Sequence, residues 1–142
     1  MPSGSCARIA ELPPPARAIF DDARRGAFGT IAPDGAPRLV PVVFALRGDE
    51  IVLEIDDKPK RTRSLARVEN IRRDPRVTLL TDRWDEDWTQ LGWVMVQGEA
   101  RIEPPGGAAA QLRERYPQYG SEELDGPVIA ITPGLVRWWT FS

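Results

Sequence analysis

No histidine occurs in this 142-residue chain. That absence removes the Ser-His-Asp and Cys-His arrangements, histidine-ligated zinc and histidine-ligated haem together. Cysteine is nearly absent too: Cys6 alone permits no internal disulfide and no multi-cysteine metal or cluster site. A single thiol with no partner to activate it is assigned no role. No segment approaches the roughly 18 consecutive apolar residues of a membrane helix, and MPSGSCARIAELPPPAR lacks the apolar run of a signal peptide. No membrane partner is therefore expected, and a cytoplasmic location is. No GxGxxG follows a strand pattern, so a Rossmann dinucleotide unit is not indicated.

What is present describes an ordinary globular chain, 42% hydrophobic and 28% charged, of a length suited to one domain. The expectation is a single domain over residues 1–142, with 1–13 a flexible N-terminus. A helix is predicted from about Pro14 to Arg25, with Ile19, Phe20 and Ala23 inward and Gly26 as the stop. FGTIA, PDGA and PRLVPVVFAL then read as a hairpin in which Asp34-Gly35 supplies the positive φ angles of a tight turn. RGDE makes a second turn, and EIVLEI alternates like a half-buried strand.

Leu65, Val68 and Ile71 recur three residues apart and give a helix one apolar stripe, which Asp74-Pro75 terminates. RVTLLTD is the next strand, RWDEDWTQ an acidic loop bearing tryptophan, and GWVMVQGEARIE a longer strand in which Gly98 marks a bulge. A further helix is predicted near Ala108 to Tyr116, and the chain closes with PVIAIT and LVRWWTF, separated by a Pro133-Gly134 turn. Six or so short strands joined mostly as hairpins, with peripheral helices, predict a mainly β fold, a small closed barrel.

The net charge of −2 hides an asymmetry. Between Lys58 and Arg76 eight basic residues face only Glu69 and Asp74, whereas the rest of the chain is strongly acidic. A focused positive patch on an acidic protein attracts a small anion better than a long polyanion. Within the patch, DDKPKRTRS sets four cations, Lys58, Lys60, Arg61 and Arg63, around a proline at the start of a predicted helix. Pro59 stiffens the approach, and Thr62 or Ser64 is the candidate N-cap. Free amides, the positive end of the helix dipole and added cations together make a phosphate or carboxylate seat. The same cations oppose the dipole when nothing is bound, at about 0.3 to 1 kcal/mol each, so stability alone does not account for them. A merely solvated charged face is the competing reading.

The ordered set TIAPDGAPRLVPVVF, IVLEI, DDKPKRT, NIRRDPRVTLLTD and a tryptophan-bearing loop running into QGEA resembles the split β-barrel flavin and deazaflavin oxidoreductases. These are the relatives of pyridoxamine phosphate oxidase, and the likeness, over roughly residues 15 to 140, is greatest to the actinobacterial branch that uses coenzyme F420. The resemblance implies a six-stranded split barrel, a homodimer, and cofactor grooves at the subunit interface. It also places the cofactor phosphate against Lys58, Lys60, Arg61 and Thr62, and the redox ring along Val40, Pro41, Val42 and Val43, contacted largely through main chain. Pro41 cannot donate to a ladder and so suits an edge strand or a bulge. Absence of a polar residue from VPVVF favours the deazaflavin, with FMN as the alternative. The long basic run suits a cofactor with a polyanionic tail, which offers further anions to Arg63 and Arg67.

For Trp88 two readings stand side by side, a wall for the ring or substrate of the partner subunit and a filler of the dimer interface. The acids Asp85, Glu86 and Asp87 alternate in direction on an extended chain, and no metal site is assigned. Asn70 is read as a helix C-cap, with a cofactor contact as the alternative. The expected activity is hydride transfer between F420 and a small organic molecule, with no acid or base named. A non-catalytic carrier or sensor is the competing class. A nucleic-acid module is disfavoured because few aromatics interleave the basic run.

Overall fold

The structure is a computed structural model that describes residues 2–54, 61–120 and 124–142, and for residues 61–65 the backbone alone. Eight strands and three α-helices follow in the order β1 (Ser3–Cys6), α1 (Pro14–Asp22), β2 (Gly26–Ile31), β3 (Pro37–Val42), β4 (Ala45–Arg47), β5 (Glu50–Glu54), α2 (Arg61–Arg73), β6 (Arg76–Arg83), β7 (Gly92–Glu103), α3 (Ala109–Arg115) and β8 (Val128–Thr140). All pairings are antiparallel, in the order β3-β2-β6-β7-β8-β5-β4, with β1 added to β8. The fold is mainly β, as the strand-turn pattern predicts. Among the described residues the ladder does not close: β3 and β4 are its two ends, although the chain runs almost directly from one to the other.

One face of this curled sheet holds the main core. Phe20 and Ile19 from α1 and Val68 and Ile71 from α2 meet Phe28, Phe44, Leu79, Val94, Val96 and Val136 there. A smaller cluster under α3 joins Leu112 and Tyr116 to Val52, Val128 and Ala130.

Several sequence expectations change in the structure. The N-terminal stretch, expected to be flexible, pairs Ser3–Cys6 with β8 and buries Ile9 and Leu12 beneath a 3₁₀ turn at Ile9–Glu11. Helix α1 ends at Asp22, three residues short of Arg25, because the backbone of Ala23 turns extended. In the first hairpin only Gly35 has positive φ, at 84°, while the Asp34 carboxylate closes the turn by accepting from the Ala36 N–H at 3.0 Å.

Pro133 and Gly134 do not separate two strands. They sit at a register shift inside one continuous β8, opposite Gly98, so the extra residue bends the strand without ending it. Gly98 makes this possible: a Cβ there would lie 2.2 Å from the Thr132 carbonyl oxygen. The bulge predicted at Gly98 is thus present, with its extra residue on the partner strand.

Asn70 does not act as a C-cap side chain. It is buried, donates to the Thr30 hydroxyl at 3.1 Å and accepts from Arg73 at 3.2 Å, tying α2 to β2.

Candidate functional site

β3 lies at the edge of the sheet, paired only with β2 among the described residues, as Pro41 requires. Alternation divides its side chains. Val40 and Val42 pack toward the main core and Val43 toward the smaller cluster, while Leu39 and Pro41 face outward. Pro41, Ala27 and Leu80 stand in one cross-strand row on that outer face, next to the row Leu39, Gly29 and Thr78. Leu39 is 69% exposed and Leu80 39%.

Between these side chains runs a cavity of about 300 Å³, lined by Gly26, Ala27, Leu39, Val40, Pro41 and Leu80, with Arg25 and Asp82 at one end. Its small-residue floor leaves β2 and β3 open to the close approach of a flat apolar body. Of the four predicted ring-strand residues, Val40 and Pro41 line the cavity. Val42 and Val43 do not.

A second cavity of about 420 Å³ adjoins the first and shares Arg25 and Asp82 with it. Ile19, Ala23, Arg83 and Trp84 contribute to its walls. The backbone between α1 and β2, which carries Arg25, is fixed from α3. Arg115 donates to the Ala23 carbonyl at 2.6 Å and the Phe20 carbonyl at 3.3 Å, satisfying acceptors at the end of α1. In return Arg24 donates to the Arg115 carbonyl at 2.7 Å and lies 4.6 Å over the Tyr116 ring. The Tyr116 hydroxyl accepts from Arg115 at 3.2 Å and from the Phe44 N–H at 3.3 Å. One cluster thereby anchors both flanks of the groove: the chain leaving α1 and the chain leaving β3.

Lys58 and Lys60 lie outside the described residues, and so do the side chains of Arg61 and Thr62. The backbone places Arg61 and Thr62 in the first turn of α2, and with Ser64 also inside the helix, neither candidate hydroxyl residue is its N-cap. Farther along α2, Arg67 is partly buried; burial lowers its pKa, and its Nε has no hydrogen-bond partner. Glu54, at the end of β5 just before the basic run, is buried and its carboxyl is pushed up by that burial; one oxygen accepts from the Gly106 N–H at 2.8 Å.

Trp88 opens a 3₁₀ turn over Trp88–Gln90 and is 62% exposed, outside both cavities of its own chain. The neighbouring acids shape this loop. Asp87 caps the turn by accepting from the Thr89 N–H at 3.1 Å and hydroxyl at 2.7 Å, and Asp85 accepts from the Asp87 N–H at 2.8 Å. Among the described residues no cluster of acidic, cysteine or histidine side chains is arranged to hold a metal ion, and no helix is long and apolar enough to cross a membrane.

Leu39, Leu80, Arg25 and Asp82 line the groove without having been singled out in the sequence. Leu80 carries a legible signal. Within RVTLLTD the buried positions are Val77, Leu79 and Thr81, so a second leucine at 80 falls on the outward face, where a solvated strand would be polar. Leu39 carries the same signal on β3. Arg25 and Asp82 have none, since their proximity depends on how α1 ends and how β6 pairs.

The sequence pattern of the pyridoxamine 5'-phosphate oxidase family matches residues 12–139. Among solved structures, protein Rv2991 of Mycobacterium tuberculosis is 28% identical with a TM-score of 0.68, over 87% of this chain and 81% of that one. A protein named F420 reductase superposes with a TM-score of 0.64 at 21% identity, over 88% of this chain and 98% of the other. A haem-binding protein of Mycobacterium smegmatis has a TM-score of 0.65 at 25% identity, over 88% of this chain but 52% of its own length.

Proposed function

Because this chain belongs to the pyridoxamine 5'-phosphate oxidase family, we propose that it is a deazaflavin (F420)-dependent oxidoreductase acting on a small organic substrate. The observation that carries the reading is the apolar trough on edge strand β3, floored by Gly26 and Ala27 and flanked by Val40, Pro41, Leu39 and Leu80. Only the methyl of Ala27 rises from its floor, which fits a flat ring resting close to the main chain. When bound, the deazaflavin supplies hydride transfer at its C5, so a chain without histidine remains competent for redox chemistry. Pro41, Leu39 and Leu80 exclude water from one face of the trough, and Arg25 and Asp82 bring charge to its end.

Lys58, Lys60, Arg61 and Thr62 are proposed to hold the phosphate and Arg63 and Arg67 the anionic tail; the partly buried Arg67, its Nε without a hydrogen-bond partner, supports this. The absence of a polar residue from VPVVF, together with the fold shared with an F420 reductase, favours the deazaflavin over FMN. Histidine-ligated haem is excluded by composition. We propose further that two copies meet through the outer face of β3-β2-β6, with Trp88 of each copy walling the trough of the other.

Incubation of the purified protein with F420 and, separately, with FMN, followed by fluorescence polarisation, tests the reading. Micromolar or tighter F420 binding with weaker FMN binding is expected. Tight FMN binding with no response to F420 would replace the cofactor, and F420 binding with no turnover for any reductant and acceptor would make the protein a carrier.

A further inference from the structure

The second cavity, beside the trough, holds three arginines of unequal freedom. Arg83 is paired with Asp22 at 3.1 Å. Arg24 is engaged by the Arg115 carbonyl and the Tyr116 ring. Arg25 has neither hydrogen bond nor ion pair among the described residues, and the same holds for Asp82. Both line both cavities, yet they are not within ion-pair distance of each other. An unpaired guanidinium and an unpaired carboxylate at one seam offer five donors and a set of acceptors to a molecule lying between them. The Ala23 carbonyl two residues before Arg25 is held by Arg115, so the backbone bearing this guanidinium is set in place before any ligand arrives.

Trp84 lines the same cavity; it is 65% exposed, and its Nε1 lies 3.5 Å from the Glu86 carboxylate. An exposed indole and a guanidinium lining one cavity offer stacking and a charged anchor to a planar body carrying an anion. The cavity of about 420 Å³ has room for a molecule of two fused rings.

We propose that this cavity is a small-molecule binding site, and that it takes planar aromatic acids bearing a hydroxyl or amine donor: Arg25 binds the carboxylate, Asp82 accepts from the donor, and Trp84 stacks on the ring. That a ligand here would lie beside the cofactor rests on reading the β3 trough as the cofactor site, because Arg25 and Asp82 line both cavities. Binding of the acid itself does not depend on that reading.

Calorimetric titration of the full chain with 3-hydroxy-2-naphthoate, 2-naphthoate and 2-naphthol, with and without F420, separates the contributions. Charge-assisted bonds to Arg25 are expected to make 2-naphthoate bind about tenfold more tightly than 2-naphthol, and the added hydroxyl is expected to give a further several-fold gain. Arg25→Gln should collapse the ratio of naphthoate to naphthol toward one, Asp82→Ala should erase the gain from the hydroxyl, and Trp84→Ala should weaken all three probes. Equal affinity for 2-naphthoate and 2-naphthol, or a ratio untouched by Arg25→Gln in a variant with wild-type circular dichroism, overturns the proposal. Discrimination that depends on Arg25 in a protein that fails to bind F420 would keep the acid site and sink the cofactor reading. F420 binding without discrimination would do the reverse.

Discussion

Two glutamates four positions apart in sequence, Glu50 and Glu54, respond to pH in opposite senses. Glu50 receives Arg101 and Arg47 and the Thr132 hydroxyl, and those bonds, led by Arg101, hold its carboxyl at about 2 against an ordinary value of 4.5. Its folded pKa is the lower one, so its contribution is present above about pH 4.5 and is lost as pH falls toward 2. Glu54 is the reverse case. Burial raises its pKa, so the folded chain holds that proton more tightly than the unfolded chain, and stability declines as pH rises from 4.5 through the raised value. Urea unfolding between pH 3 and pH 8 should therefore show Glu50→Gln flattening the acid limb, at a cost of about 1 kcal/mol near neutrality. Glu54→Gln should keep the protein as stable at pH 8 as at pH 5. A wild-type acid limb retained by Glu50→Gln would discount the arginine cluster as its cause. At Gly98 the constraint is steric rather than electrostatic: a methyl group 2.2 Å from the Thr132 oxygen forces β7 and β8 apart at the bulge. Gly98→Ala is expected to cost about 1 to 3 kcal/mol, read as a lower urea midpoint with little change in slope.

The elements around the groove depend on contacts that cross long stretches of chain. Tyr116 occupies a position from which the sequence suggests no role, yet its buried hydroxyl is the acceptor for the Phe44 N–H at the β3-to-β4 link. Tyr116→Phe leaves that N–H without a partner and should cost about 1 to 3 kcal/mol in urea unfolding. Because the same change loosens the end of β3, F420 affinity should also fall severalfold; full affinity with reduced stability would confine the cluster to a structural role. The helix start at Arg61 is the complementary case, where the sequence carries more than the structure describes. Alanine at Lys58, Lys60 and Arg61 together should weaken F420 binding at least tenfold while leaving the urea midpoint equal or slightly raised, since three charges opposing the helix dipole are removed. Unchanged affinity would return the run to solvated surface. Local chemistry explains which elements were legible: Pro59 and Asp74-Pro75 bracket α2, and the alternation of β6 and β7 is written in their side chains. Pro133-Gly134 reads as a turn because both residues favour one. What keeps β8 continuous is the missing side chain of Gly98, 35 positions earlier and on another strand. The trough was partly visible through Pro41 and VPVV, but Arg25 and Asp82 come to line one cavity only because α1 ends at Asp22 and β6 pairs with β2.

For the whole molecule, the outer face of β3-β2-β6 raises the question of its own solubility. Leu39 and Leu80 project from adjacent rows, Pro41 stands beside them, and register continues the row of Leu80 into Met95 on β7. An apolar face of this kind is where the proposed dimer would form. A standard interface covers about 800 Å² per partner, roughly a tenth of the 8054 Å² this chain exposes. Such a contact would also bring the exposed indole of Trp88 over the trough of the other copy, completing a site that each chain leaves open on one side. Light scattering behind size-exclusion chromatography is expected to give twice the 15.8 kDa chain mass at micromolar concentration. Leu39→Glu combined with Leu80→Glu sets carboxylates from both copies against one another in a desolvated contact and should return the mass to that of a single chain. Circular dichroism should be unchanged, because both positions face outward. If two copies build the site, F420 affinity falls with the mass, and Trp88→Ala lowers that affinity while the mass stays doubled. A wild-type chain that is monomeric yet binds F420 tightly would show that the trough needs no second wall, and the outer leucines would then have to be explained by the ligand alone.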